Sequence, residues 1–182
     1  DQLPAGQVVR PAPSETLQLG KRTRAGDFDY RCLDDAAALD GLVEQLQGVT
    51  CLAVDTETTS PSAMEAELVG ISLSWQPGRA VYLPVLVRLG GRGVDVRLLR
   101  QRLGGILASR RVEKVGHNLK YDAIVLARAG MPLDGPLFDT MLACYVLEAE
   151  RGNYGLDALA AEMLGHDSIP IADLIGRGKE RR

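Results

Sequence analysis

Aromatic residues make up only 4% of this 182-residue chain, with one tryptophan, two phenylalanines and five tyrosines. Any contact with nucleic acid therefore cannot rest on a broad stacking platform. Lysine is as scarce, at Lys21, Lys114, Lys120 and Lys179, and the net charge of −3 excludes a basic protein that coats DNA through its backbone charge. The three cysteines, Cys32, Cys51 and Cys144, are odd in number and widely spaced, which fits neither a disulfide framework nor a zinc site. With His117 and His166 as the only histidines, zinc is weaker still. Cysteine usage of this kind points to a reducing cytoplasm. No apolar run has the length to span a membrane and no signal peptide leads the chain, so a membrane partner is not expected. The chain does not begin with methionine, which fits a fragment or a processed piece of a longer protein.

What remains is ordinary globular composition, 46% hydrophobic and 25% charged, in a length that suits one domain with a real core. Residues 1–27 hold Pro4, Pro11 and Pro13 with little periodicity and read as a linker or extended lead-in to a domain over 28–182. Asp34 or Asp35 caps a helix running to about Gln47, with Leu39, Leu42 and Leu46 on one face and Gly48 as its stop. Strands follow at Cys51–Glu57, Glu67–Trp75 and Ala80–Val85. The last two are joined by a type II turn over Gln76-Pro77-Gly78-Arg79. Gly90–Gly93 reads as a flexible loop. Val94–Ala108 is a helix with Leu99, Leu103, Ile106 and Leu107 inward, and Arg97, Arg100 and Arg102 on its solvated face. Val112–Val115 and Leu137–Phe138 are short strands. Helices follow at Leu119–Ala129, at about Thr140 to Glu148, and after Asn153 until Gly165. A meander followed by alternating helices and single strands predicts an α/β fold with a mixed five-stranded sheet flanked by helices.

The chemistry concentrates at the end of the first apolar strand, Cys51-Leu-Ala-Val-Asp55-Thr-Glu57-Thr58. Side chains at i and i+2 of a strand share a face, so Asp55 and Glu57 point the same way and repel. A hard divalent cation offsets that repulsion through oxygen ligands. For a bare Asp-x-Glu, a polar turn is the stronger reading. A second acid alters the balance. Asn118-Leu119-Lys120-Tyr121-Asp122 opens a helix with Asn118 as its N-cap, and Asp122 falls on the inward side with Leu119 and Leu126. An inward carboxylate costs free energy unless it is paired or binds metal. Thr56 and Thr58 face away from the two acids. Asp139 reads as the N-cap of the helix beginning at Thr140.

Val54-Asp55-Thr56-Glu57-Thr58 resembles the first motif of the DEDD superfamily of 3′–5′ exonucleases. Val115-Gly116-His117-Asn118-Leu119-Lys120-Tyr121-Asp122 resembles the second, and Phe138-Asp139-Thr140-Met141 and Leu68-Val69-Gly70-Ile71-Ser72 match further family segments. Over Asp27 to Lys179, including the closing Ile175-Gly176-Arg177-Gly178-Lys179, the chain is similar to the proofreading exonuclease domains of bacterial family A polymerases. The resemblance implies a ribonuclease H-like fold and hydrolysis of the 3′-terminal phosphodiester of single-stranded DNA. The implied cofactors are two divalent metal ions, Mg²⁺ or Mn²⁺. Asp55 would bridge both, Glu57 bind the nucleophile-side ion, and Asp122 bind the other through water. The backbone of Thr56, with His117, Asn118, Tyr121 and Arg151, matches positions that hold the 3′ end. His117 stands where glutamine is common. Pro61 and Ile171 replace a leucine and an aromatic residue that wedge against terminal bases, which implies weaker base stacking.

The fourth acid and the tyrosine of the third motif have no counterpart here, so the sheet is expected to lack its motif-bearing C-terminal helix. A chain of this extent is then weak or inactive alone. The implied partners are the 3′ end of single-stranded DNA and a polymerase domain of the same parent protein, with the chain a monomer in the bacterial cytosol or nucleoid. Two other readings stand beside this one. One is a non-catalytic binding or spacer module of a polymerase. The other is an RNA exonuclease resembling ribonuclease D.

Overall fold

The computed structural model describes residues 28–85 and 92–168. The lead-in over 1–27, the core of the Gly90–Gly93 loop, Ile171 and the basic run from Gly176 to Arg182 lie outside the described residues.

Residues 28–156 build one unit around a mixed sheet. The strands are β1 (Asp29–Cys32), β2 (Cys51–Thr58), β3 (Leu68–Gln76), β4 (Arg79–Pro84), β5 (Glu113–Gly116) and β6 (Leu137–Asp139), in the spatial order β1-β4-β3-β2-β5-β6. The meander is present: β2 pairs antiparallel with β3, and β3 with β4. The later strands join in parallel, β5 on β2 and β6 on β5. The sheet has six strands, not the expected five. The extra one, β1, lies parallel to β4 at the edge. Its four residues, Asp-Tyr-Arg-Cys, are too few to give a clear strand signal, and its side chains are mostly exposed. Backbone pairing forms this strand, and Asp29 adds ion pairs with Arg31 at 2.8 Å and Arg79 at 3.4 Å.

Three helices cover one face of the sheet. They are α1 (Ala36–Gln45), α2 (Val96–Leu107) and α3 (Leu119–Arg128). Of the two proposed caps, Asp35 starts α1, its carboxylate accepting from Ala38 N at 2.8 Å. Asp95 starts α2 in the same way through Arg97 N. Leu39, Leu42 and Leu46 from α1, Leu99, Leu103 and Leu107 from α2, and Leu126 from α3 pack with Leu52, Val54, Ile71, Leu73, Val81 and Leu83 of the strands. The opposite face carries Asp55, Glu57, Ser72, Ser74, Ala80 and Tyr82, by the alternation of side chains along β2, β3 and β4. A fourth helix, α4 (Thr140–Leu147), follows β6 directly.

Lys114 is fully buried in β5. Its ammonium donates to the carbonyls of Ser109 and Val112, both at 2.7 Å, and also to that of Asp134. Burial lowers its pKa, and the charge of Asp134 works in the opposite direction. This lysine ties the loops at the end of the sheet remote from the acids.

Residues 157–168 belong to a second unit. The short α5 (Leu156–Leu159) runs into a π-helical turn, Ala160–Leu164, which ends at Gly165. The expected last helix is thus present in two registers. Asn153 accepts from Gly155 N at 2.8 Å just before it.

Candidate active site

Parallel pairing of β5 with β2 stops at Ala53 and Val115, before β2 ends. Beyond that point the amide of Thr56 has no strand to donate to, and a buried N–H needs an acceptor. Asp122 supplies it. Its Oδ1 accepts from Thr56 N at 3.0 Å and from Thr56 Oγ1 at 2.7 Å, with both residues buried. The threonine between the two outward acids faces away from them, as expected, and grips the third. Its amide is committed to Asp122.

The turn from β5 into α3 makes this contact possible. A methyl group on Gly116 would lie 2.5 Å from Leu119 Cδ1 and 3.0 Å from the Val54 carbonyl, so only glycine lets α3 start this close to β2. Asn118 occupies the N-cap position with φ 60° and ψ 41°, and its side chain makes no capping hydrogen bond. The cap comes from Asp139. Its Oδ1 accepts from Asn118 N at 3.1 Å, and its Oδ2 accepts from Leu119 N at 2.7 Å. The same Oδ1 also caps α4, from Met141 N at 2.9 Å and Leu142 N at 3.3 Å. One carboxylate therefore holds the N-termini of two helices, and its oxygens are taken by backbone donors.

Asp55 and Glu57 project from the other face of β2, opposite Ser72 and Gly70 of β3. Asp55 is open to solvent but sits in a concave stretch lined by Val54, Val115, Gly116, His117 and Thr140. Crowding by protein pushes its pKa up to about 6, and the charges of Asp122 and Glu57 push the same way. No described lysine or arginine offsets them. Burial also raises the Asp122 carboxyl, partly relieved by the Thr56 bonds, while Asp139 adds to the rise.

The remaining sequence-predicted residues divide. The Thr140 hydroxyl donates to the Gly116 carbonyl at 3.1 Å, so it accepts from His117 Nδ1–H at 3.0 Å. In the neutral ring this places the proton on Nδ1 and leaves Nε2 an acceptor, buried and without a hydrogen-bond partner among the described residues. The Tyr121 hydroxyl meets Thr58 Oγ1 at 2.5 Å and donates to the Ser60 carbonyl, pinning the loop after β2 to α3. Arg151 pairs with Glu148 at 2.8 Å and donates to the Asn153 carbonyl at 2.8 Å, and its side chain is 12% exposed. It is occupied within its own loop. The structure thus brings Asp55, Glu57, Asp122, His117, Asn118 and Tyr121 to the meeting of β2 and α3. Arg151 lies in the loop after α4.

Comparison with known proteins decides what this arrangement belongs to. Residues 30–181 match the sequence profile of the 3′-5′ exonuclease of DNA polymerase A. The chain belongs to that family. It is 35% identical over 159 residues to DNA polymerase I of Pseudomonas aeruginosa, covering 85% of this chain and 17% of that protein's length. Among solved structures, NrnC of Brucella melitensis with bound Mg²⁺ superposes with a TM-score of 0.59 at 22% identity, over 78% of this chain and 64% of that one. Escherichia coli RNase D, an exoribonuclease, does so with a TM-score of 0.59 at 22% identity, over 76% of this chain and 34% of that one. These two likenesses show the fold, which is the expected ribonuclease H-like one.

Nuclease activity is the function of the exonuclease family. Among the described residues no three His, Cys, Asp or Glu side chains converge as a finished ligand set. The donors nevertheless suit a hard divalent cation. Asp55 and Glu57 offer carboxylate oxygens side by side, and Asp122 Oδ2 is the oxygen that Thr56 does not engage.

Proposed function

We propose that this chain is the proofreading exonuclease domain of a DNA polymerase I. It removes nucleotides from the 3′ end of single-stranded DNA as nucleoside 5′-monophosphates. The observation that carries the reading is the crowding of Asp55, Glu57 and Asp122 at the end of β2 with no described lysine or arginine to balance them. Two divalent ions, Mg²⁺ or Mn²⁺, held by these three acids would supply an activated water and stabilise charge on the leaving oxygen.

The chain's own residues prepare that site. Thr56 fixes one oxygen of Asp122 and so aims the other. Asp55 must give up its proton to bind metal, which at a pKa of about 6 it does readily near neutral pH. His117 Nε2 offers an acceptor to a sugar or base donor, and the Asn118 amide, released from capping, offers both donor and acceptor. Tyr121 shapes the wall on the Ser60 side. Arg151 contacts a phosphate only by exchanging Glu148 for it. The same reading makes the polymerase part of a longer polypeptide the partner, a monomer the working form and the bacterial cytosol its place. RNA is the second reading, because the fold is shared with RNase D.

The test is digestion of 5′-labelled single-stranded DNA and RNA with Mg²⁺ or Mn²⁺. It uses the 182-residue chain and the chain within a full-length polymerase, each with an Asp55→Ala counterpart. A ladder shortened from the 3′ end of DNA, lost in Asp55→Ala, is the expected result in the full-length protein. A ladder that survives Asp55→Ala overturns the assignment. Faster digestion of RNA favours the second reading.

A further inference from the structure

Asp55, Ser72, Tyr82 and Cys32 are register neighbours across four strands, so their side chains share the face on which the acids stand. In the next row Glu57 lies opposite Gly70. A methyl group on Gly70 would fall 2.2 Å from the Tyr82 hydroxyl and 2.4 Å from ring atoms Cε2 and Cζ. The hydroxyl end of the tyrosine ring therefore occupies the space above Gly70, on the strand next to β2. Directly opposed residues of an antiparallel pair have Cβ positions about 4.5–5.5 Å apart. A hydroxyl over Gly70 is thus within reach of the Glu57 carboxylate, which is exposed and mobile about its own torsions. The charge of Glu57 registers at the phenol: burial raises the Tyr82 pKa first, and Glu57 raises it further, with Cys32 adding a smaller share. The phenol makes no hydrogen bond with another described residue.

We infer that the Tyr82 hydroxyl is a positioning donor to Glu57, holding the carboxylate oxygen that does not face the metal. This rests on the reading of Asp55 and Glu57 as metal ligands. A ligating carboxylate binds more tightly when its second oxygen is hydrogen-bonded, because the outer partner fixes its orientation. The glycine at position 70 is what admits the ring. Any side chain there would displace the phenol from Glu57. Filling the space above a glycine is a purely structural role that a phenyl ring performs as well, so the hydroxyl alone separates the two roles.

The experiment is a calorimetric titration of the metal-free 182-residue chain with Mn²⁺, for the wild type, Tyr82→Phe, Gly70→Ala and Glu57→Gln, with melting temperatures alongside. Tyr82→Phe is expected to weaken Mn²⁺ binding about 10-fold with an unchanged melting temperature. Gly70→Ala is expected to weaken it at least as much. In the Glu57→Gln background, adding Tyr82→Phe is expected to change nothing further. Tyr82→Phe binding Mn²⁺ within twofold of the wild type, while Glu57→Gln is impaired, overturns this inference and leaves the metal site standing. A wild-type chain that takes up no Mn²⁺ overturns both.

Discussion

Asp55 is the residue on which pH acts. Its folded-state carboxyl titrates at about 6, raised from 3.8 chiefly by burial and then by Asp122 and Glu57. Between those values the folded chain holds a proton that the unfolded chain releases, so this group's contribution to stability falls as pH rises through the window. Without metal, Asp55→Asn is expected to melt above the wild type at pH 7. The gap should close by about pH 3, below 3.8, where both states of the wild type are mostly protonated. Thermal scans at the two pH values check this, and an Asn variant less stable at pH 7 would contradict it. Metal uptake has the opposite dependence: Mn²⁺ affinity should drop as pH falls below about 6, because the ion must displace the Asp55 proton. Thr56 acts at the same scale. Thr56→Val removes the 2.7 Å bond to a buried carboxylate and leaves the amide bond alone. The expected cost is about 1–3 kcal/mol in chemical denaturation.

Among the elements, α3 matters most because it carries Asp122, and its start is set by Asp139 from another helix. Asp139→Ala strips caps from α3 and α4 together, and a lost cap costs about 0.5–2 kcal/mol. Asp139→Asn keeps one acceptor oxygen. It can still cap α4 while setting an amide against Leu119 N. The Asn variant is therefore expected to fall between wild type and Ala in unfolding free energy. Equal stability of all three would remove the double cap. This coupling marks the limit of what the sequence makes legible. The capping role of Asp139 toward its own helix follows from its place before Thr140. Its grip on a helix some twenty residues earlier depends on β5 and β6 lying side by side, which no local pattern encodes. Asn118 has the right residue type for a cap, but the tight turn at Gly116 forces it into a left-handed conformation. The faces of α1 and α2 and the three-strand meander were readable because their leucines and alternating residues follow the helical and strand periods. Strand β1 was not, since four mostly exposed residues at a sheet edge give too short a pattern to read. Buried Lys114 and the tyrosine lying over Gly70 are likewise products of tertiary packing, although a glycine inside the alternating strand β3 marks a place where something approaches closely.

At the scale of the whole molecule, the apolar surface is uneven. Leu137, Phe138, Leu142, Val146 and Leu147 line an open groove along β6, α3 and α4, with Leu147 80% exposed. Leu147→Lys is expected to leave the melting temperature within the range of a neutral surface change, about 0.5 kcal/mol, and to reduce self-association at high concentration in light scattering. No helix among the described residues is long and apolar enough to cross a membrane. The chain corresponds to a part that spans 17% of the length of the Pseudomonas aeruginosa polymerase that it resembles. That part's chemistry comes down to whether three acids, two on β2 and one on α3, share a divalent cation. The direct measurement is an anomalous difference map from crystals of the chain soaked in Mn²⁺, beside crystals of Asp55→Ala. The account predicts a peak touching Asp55 and Glu57 at the end of β2, absent in the variant. Full soaking with no peak there, or a peak that persists in Asp55→Ala, would contradict it.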